Sequence, residues 1–186
     1  PVFAVPSHAP PPLAAIPVFV ILGIAAGVLG VVFNRGLLIT VNLFDRIPGR
    51  ARLALAALIG AMAGLIAWFS PIAVGGGHSL AEQVLEGHLL LSAIPLWFIL
   101  RFGLTLVSYG TGAPGGIFAP LLVLGALIGL AVGEITHQIS PGLAPQPAAF
   151  AVVGMAAYFT AIVRAPLTGV VLIMEMTGNY SQMLPL

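Results

Sequence analysis

"YGTGAPGGIFAPLLVL", Tyr109 to Leu124, holds four glycines and two prolines and then runs straight into apolar residues. It contains the pattern G-x-G-x-x-G at Gly110, Gly112 and Gly115. Three roles are open to such a stretch: a dinucleotide-binding turn, a hinge between membrane helices, or a cradle for negative charge. A dinucleotide-binding turn needs a strand before it, a second strand after its helix, and an acidic residue about 20 positions on. "LTLVS" could serve as the strand and Glu134 falls near the right distance. However, Pro114 sits inside the turn, and Gly116 to Gly133 is one unbroken apolar run with no second strand before Glu134. No Lys follows the glycines in G-K-[ST] form, so a Walker-type phosphate loop fails too.

Composition narrows the choice further. Of 186 residues, 60% are hydrophobic and 6% charged, with a mean hydropathy of +1.14. A soluble domain carries about 25% charged residues, so this chain lacks the polar surface to cover a water-facing globule. It belongs in lipid, against other protein, or both. A net charge of +1 and the lack of a basic run interleaved with aromatics argue against nucleic acid as a partner. With no cysteine, disulfides, thiolate metal sites and cysteine nucleophiles are excluded. The five acidic residues are scattered, and no Ser/His/Asp or paired-carboxylate spacing points to catalysis. The expected class is therefore a non-enzyme without cofactor or resident metal.

A helix needs about 20 apolar residues to cross the hydrocarbon core. By that measure the chain divides into Leu13 to Leu43, Leu53 to Phe69, Leu89 to Tyr109, Gly116 to Ile135 and Ala148 to Ile162, with a stub from Pro166 to Met176. Asn34 and Arg35 are expected to interrupt the first, giving a long tilted helix whose second part approaches the interface. "GGGH" at 75–78 opens a shorter, more polar piece from Ser79 to His88. Residues 1–12, rich in proline, read as a linker or cut end, and the carboxyl end stops as apolar residues resume. Lengths this unequal do not make a simple bundle. Broken helices in a bilayer require protein or an aqueous cavity to satisfy their ends, and short Gly/Pro-interrupted segments point to a transport site. Small residues at Gly23, Ala26 and Gly27 and at Gly60, Ala63 and Gly64 favour close helix packing. Arg35, Arg46, Arg50 and Arg52, four of the six basic residues, cluster at the first connection and place it in the cytoplasm.

For the opening stretch this leaves two possibilities. It is a glycine-rich connection and nothing more, or it opens a helix that binds an anion. Proline favours a first helical turn, where its missing N–H costs nothing. After Pro114, Gly115 and Gly116 carry no side chains, so the N–H groups of Ile117 and Phe118 can be approached closely. A helix starting there offers free donors and the positive end of its dipole. A small anion satisfies both without a Lys or Arg, whose full charge in low dielectric would hold the ion too tightly to conduct it.

"GTGAPGGIFAP", Gly110 to Pro120, resembles the chloride-binding signature of the CLC chloride channels and proton/chloride antiporters. "PVFVILGIAAGVLGVVFNR", "GGGH" and "AVVGMAAYFTAIVRAPLTGVVLIMEMTGNY" follow in the order of that family's second half. The resemblance covers nearly the whole chain from Leu13 onward. It implies an all-α polytopic fold of tilted, discontinuous helices, with residues 13–186 forming most of the second of two inverted repeats, incomplete at the carboxyl end. It also implies voltage-gated or proton-coupled chloride transport, a homodimer with a pore in each subunit, and a multi-pass protein of a bacterial-type inner membrane. The Ile117 and Phe118 amides correspond to chloride-coordinating groups, with Gly112 and Pro114 as motif support, Gly115 and Gly116 permitting approach and Pro120 stiffening the first turn. Leu167, Val170 and Ile173 become candidates for the subunit interface. The family's G-S-G-x-P and G-[KR]-E-G-P turns, the latter carrying the gating glutamate, belong to the first repeat and do not occur here. A first repeat is thus an implied partner, along with chloride and the lipid bilayer, and this half alone is expected not to conduct. A non-transporting membrane scaffold and a carrier of another small anion, fluoride or nitrate, are the rival functions.

A few polar residues remain. Arg101, inside an apolar span, is expected to snorkel or to pair with Glu134 or Glu175, or else to reach an anion path. Glu175 could carry a proton but is better placed in an ion pair or interface. His78, Glu82 and Glu86 share a helical face that suits water better than a metal. His137 is expected in a loop.

Overall fold

The computed structural model describes residues 12–86, 89–113 and 115–177. Every regular element among them is helical. The helices are α1 (Ile16–Asp45), α2 (Gly49–Phe69), α3 (His78–Leu85), α4 (Ile94–Gly110), α5 (Phe118–Ile139), α6 (Pro147–Val163) and α7 (Pro166–Thr177). Single 3-10 turns at Pro71–Ala73 and Leu91–Ala93 lead toward α3 and α4. With the second of these turns, four helices are long and apolar enough to cross a membrane, by length and composition. "LTLVS" lies within α4, which removes the strand a dinucleotide fold would need.

Prolines and glycines set the boundaries. Pro17, Pro95 and Pro147 stand in first turns, where a lost N–H is harmless. Arg164 ends α6 in the left-handed region at φ 60°, and Ala165–Pro166 then restarts the chain as α7. α1 is the long helix expected, running for 30 residues straight through Asn34 and Arg35. Both polar groups lie on a helix whose backbone is satisfied internally, so nothing forces a break. The proline-rich residues 1–11 and the apolar carboxyl end after Thr177 lie outside the described residues.

α5 and α6 form the centre, and their contact is the most extensive in the chain. A leucine gains little by leaving lipid for protein, so close backbone packing must supply the attraction. Gly125, Gly129 and Gly133 place a side-chain-free stripe on α5 at intervals of four. A Cβ on Gly125 would lie 2.5 Å from the Gly154 carbonyl oxygen, and one on Gly133 would lie 2.6 Å from that of Pro147. Gly129 abuts the Phe150 carbonyl in the same way. The stripes at Gly23 and Gly27 and at Gly60 and Gly64 meet nothing within 4 Å among the described residues. Spacing alone does not reveal which stripe finds a partner.

Around that pair, α1 buries Phe19, Leu22, Ala26, Gly30 and Phe33 at helical spacing. Phe19 stacks on Phe150 with ring centroids 4.4 Å apart. The opposite face of α1 leaves Val20, Ile24, Val28 and Val31 exposed. α2 buries no residue at all and shows Leu53, Trp68 and Phe69. Such bare apolar surface is tolerable only against lipid or further protein. The end of α4 crosses the end of α1 at Gly110, where a Cβ would lie 2.5 Å from Thr40 Cγ2 and 2.9 Å from Phe44 Cδ2.

Gly129→Val is expected to pry α5 from α6 and to cost about 1–3 kcal/mol or more. Gly60→Ala, a change into open space, is expected to stay within about 0.5 kcal/mol. Thermal unfolding of both variants in detergent measures the contrast.

Candidate anion-binding site

α5 begins at Phe118, with Ile117 as its amino-terminal flanking residue and no side chain capping it. The first main-chain bond of the helix runs from the Leu121 amide to the Ile117 oxygen, 3.2 Å. By helix geometry the amides of residues 117 to 120 lack intrahelical acceptors. Pro120 removes one, because it has no N–H. The described residues offer the Ile117, Phe118 and Ala119 amides no main-chain acceptor. The Ala119 donor is absent from the sequence expectation, although counting four positions from the helix start would have found it.

Gly115 and Gly116 precede this turn in non-helical backbone, both exposed. A Cβ on either would meet nothing within 4 Å, so no packing among the described residues explains why they lack side chains. Gly112 has a reason within the chain: its φ is +77° and a Cβ would lie 2.9 Å from Arg52 Nη2. Arg52 in turn pairs with Asp45 at 2.9 Å, tying the α1–α2 connection to the glycine loop. The Thr111 hydroxyl donates to the Ser108 oxygen and accepts from the Ala113 amide. Tyr109 Oη donates to the Gly115 carbonyl at 2.7 Å. Pro114 lies outside the described residues. On the helix itself, the Phe118 ring packs edge-on to Phe159 of α6, 5.3 Å between centroids, and so anchors the first turn to the core.

A cavity of about 240 Å³ lies beside the loop, lined by Gly115, Gly116, Pro120, Tyr109, Arg101 and Gly75 among others. At ~30 Å³ per water in the liquid, it has room for an ion and several waters.

Arg101 is 4% exposed and does not pair with Glu134 or Glu175. Its Nη1 donates to the Gly75 oxygen at 2.7 Å, and its Nη2 to the oxygens of Ile72 at 2.9 Å and Val74 at 3.1 Å. A guanidinium fork thus satisfies the carbonyls left over where the chain breaks after Pro71–Ala73. This explains "GGGH". Gly77 has φ +79°, and a Cβ there would lie 2.8 Å from Arg101 Nη2 and 2.7 Å from Val123 Cγ2. No sequence pattern marks backbone carbonyls as partners, so pairing with a carboxylate was the natural expectation.

The remaining candidates separate. Leu167 is 81% exposed, Val170 is half-buried and Ile173 is 1% exposed, turned into the chain's own core rather than outward. Glu175 is exposed and Glu134 half-buried. His137 stands in the last turn of α5 and not in a loop, with Nδ1 2.7 Å from the Ala144 oxygen. A carbonyl only accepts, so Nδ1 carries the proton. Among the described residues no group of three His, Cys, Asp or Glu could hold a metal ion. α3 buries Leu80, Ala81, Val84 and Leu85 and leaves Glu82 and Glu86 on the exposed face.

The family model described as voltage gated chloride channel matches residues 1–186. An H(+)/Cl(-) exchange transporter, ClcA, from Vibrio parahaemolyticus is 40% identical over all of this chain and 40% of its own length. A Yersinia pestis transporter of the same name is 41% identical over 94% of this chain and 37% of its own. The crystal structure of a slow cyanobacterial Cl-/H+ antiporter superposes with a TM-score of 0.94 at 38% identity, covering 99% of this chain and 43% of the antiporter. The chain therefore spans about two fifths of the length of these relatives.

Arg101→Met is expected to strand three carbonyls and to cost about 2–4 kcal/mol in thermal unfolding. Arg101→Lys should recover only part of that, since one ammonium cannot reproduce the fork. An unchanged midpoint for Arg101→Met would show that something else holds the loop.

Proposed function

The chain belongs to the voltage-gated chloride channel family, and on that premise we propose that it supplies one side of a chloride pathway across a membrane. The ion is held at the amino terminus of α5 by the Ile117 and Phe118 amides, with Ala119 as a third donor. What carries this is the coincidence of three features: donors at a helix start without a partner among the described residues, two preceding glycines facing open space, and no side-chain cap. A partly dehydrated anion gains charge-assisted hydrogen bonds and the helix dipole without meeting a full opposite charge. Binding of that kind is firm enough to draw the ion in and loose enough to release it. The names of the relatives favour proton-coupled exchange over a passive channel.

On the same premise we propose a homodimer of the bacterial inner membrane, with helices of a first repeat closing the other side of the ion site. The exposed apolar surfaces of α1 and α2 are available to lipid or to such helices. On α7, Leu167, Val170 and Val171 form the outward candidates for the subunit contact, whereas Ile173 faces inward. Chloride is the transported ligand, and no cofactor takes part.

Gly116→Val in the full-length protein, reconstituted into vesicles, is expected to lower chloride flux roughly 10- to 100-fold by displacing an ion that accepts charged hydrogen bonds. Phe118→Ala keeps the amide and should change flux only a few-fold. Equal losses in the two variants would count against coordination by the backbone.

A further inference from the structure

The glycine cradle has a weakness. Gly115 and Gly116 are the residues most free to rotate, and among the described residues nothing lies within 4 Å of where a Cβ on either would stand. A peptide between two such residues can turn over and point its carbonyl oxygen, the end that repels an anion, toward the approach to the Ile117 and Phe118 amides. In a trans peptide the C=O of residue 115 and the N–H of residue 116 point in opposite directions. Whatever fixes the one therefore fixes the other.

A single side chain is bonded to that peptide among the described residues, through the hydrogen bond from Tyr109 Oη to the Gly115 oxygen at 2.7 Å. Tyr109 stands in the last turn of α4. That end of α4 is itself fixed, because Gly110 lies against Thr40 and Phe44 of α1, and because the Tyr109 carbonyl accepts the Gly112 amide at 3.1 Å. The phenol thus reaches from a rigid helix end to the one flexible peptide before the ion site.

We propose that Tyr109 is a positioning residue for the anion cradle. By donating to the Gly115 carbonyl, it occupies the negative end of that peptide and keeps it from the ion. The inference rests on the anion site proposed above and adds to it a part that the glycine motif does not contain. Two effects follow from one bond. The loop is ordered before the ion arrives, so binding carries less ordering cost. The donated bond also engages the lone pairs of the Gly115 oxygen, which lowers its repulsion of an anion approaching the Ile117 and Phe118 amides.

The test compares the full-length protein with its Tyr109→Phe variant, which removes one oxygen and keeps the ring. Chloride affinity is read by calorimetry and half-saturating chloride by flux in vesicles, with thermal unfolding alongside. The hydroxyl's loss is expected to weaken both chloride constants roughly three- to tenfold, with the unfolding midpoint and the maximal flux little changed. A merely structural role would do the reverse, lowering the midpoint and the active fraction at unchanged half-saturation. Replacing Tyr109 with para-aminophenylalanine, which restores a donor at the ring's far end, is expected to bring the affinity back. Wild-type binding with unchanged affinity in Tyr109→Phe overturns this inference alone. An absence of saturable chloride binding in the wild type overturns the anion site and this inference with it.

Discussion

A main-chain N–H or C=O inside a bilayer has no water to turn to, and each one left unpaired costs several kcal/mol. That constraint governs this chain, because its helices stop and restart where an uninterrupted span would have left no loose ends. Two breaks meet beside one cavity. After Pro71–Ala73 the surplus groups are carbonyls, and a buried cation, Arg101, takes three of them. Before Phe118 the surplus groups are amides, and among the described residues no side chain caps them. The chemistry is complementary: a resident guanidinium closes the acceptor end permanently, while the donor end suits a guest of opposite charge that can leave.

Such a site works only if the two breaks keep their distance. The glycine stripe of α5 lets its backbone touch that of α6, and Phe118 is pinned to α6 through Phe159. The first turn of α5 is thus part of the most tightly packed pair in the chain. The loop leading into it is held differently, by polar contacts from its edges: Arg52 beside Gly112, Thr111 within its own turn, and Tyr109 on Gly115. Packing fixes the donors, and hydrogen bonds fix the approach to them.

Much of this was legible in the residues. Lipid demands long apolar runs, so the number and order of the helices followed from hydropathy, and Pro114-Gly115-Gly116 announced the start of α5 to within two residues. What escaped were features without a one-dimensional signature. Arg101 was expected to seek a carboxylate, since sequence shows charges and hides carbonyl directions. Gly23, Gly27, Gly60 and Gly64 carried the same spacing as Gly125, Gly129 and Gly133, but only the last set faces another backbone in this chain. His137 looked like a loop residue because Pro141 and Gly142 follow so soon, yet it stands in the last turn of α5. Ile173, grouped with Leu167 because the family resemblance puts this helix near a subunit interface, is buried where α7 docks on α6 while Leu167 is exposed.

The central claim is that backbone amides at the start of α5 bind the halide. Its most direct test is anomalous diffraction from crystals of the full-length protein grown in bromide. Expected is a bromide peak within hydrogen-bond distance of the Ile117 and Phe118 nitrogens, in front of Gly115 and Gly116. A cradle without bromide in which those nitrogens are bonded to main-chain oxygens would contradict it.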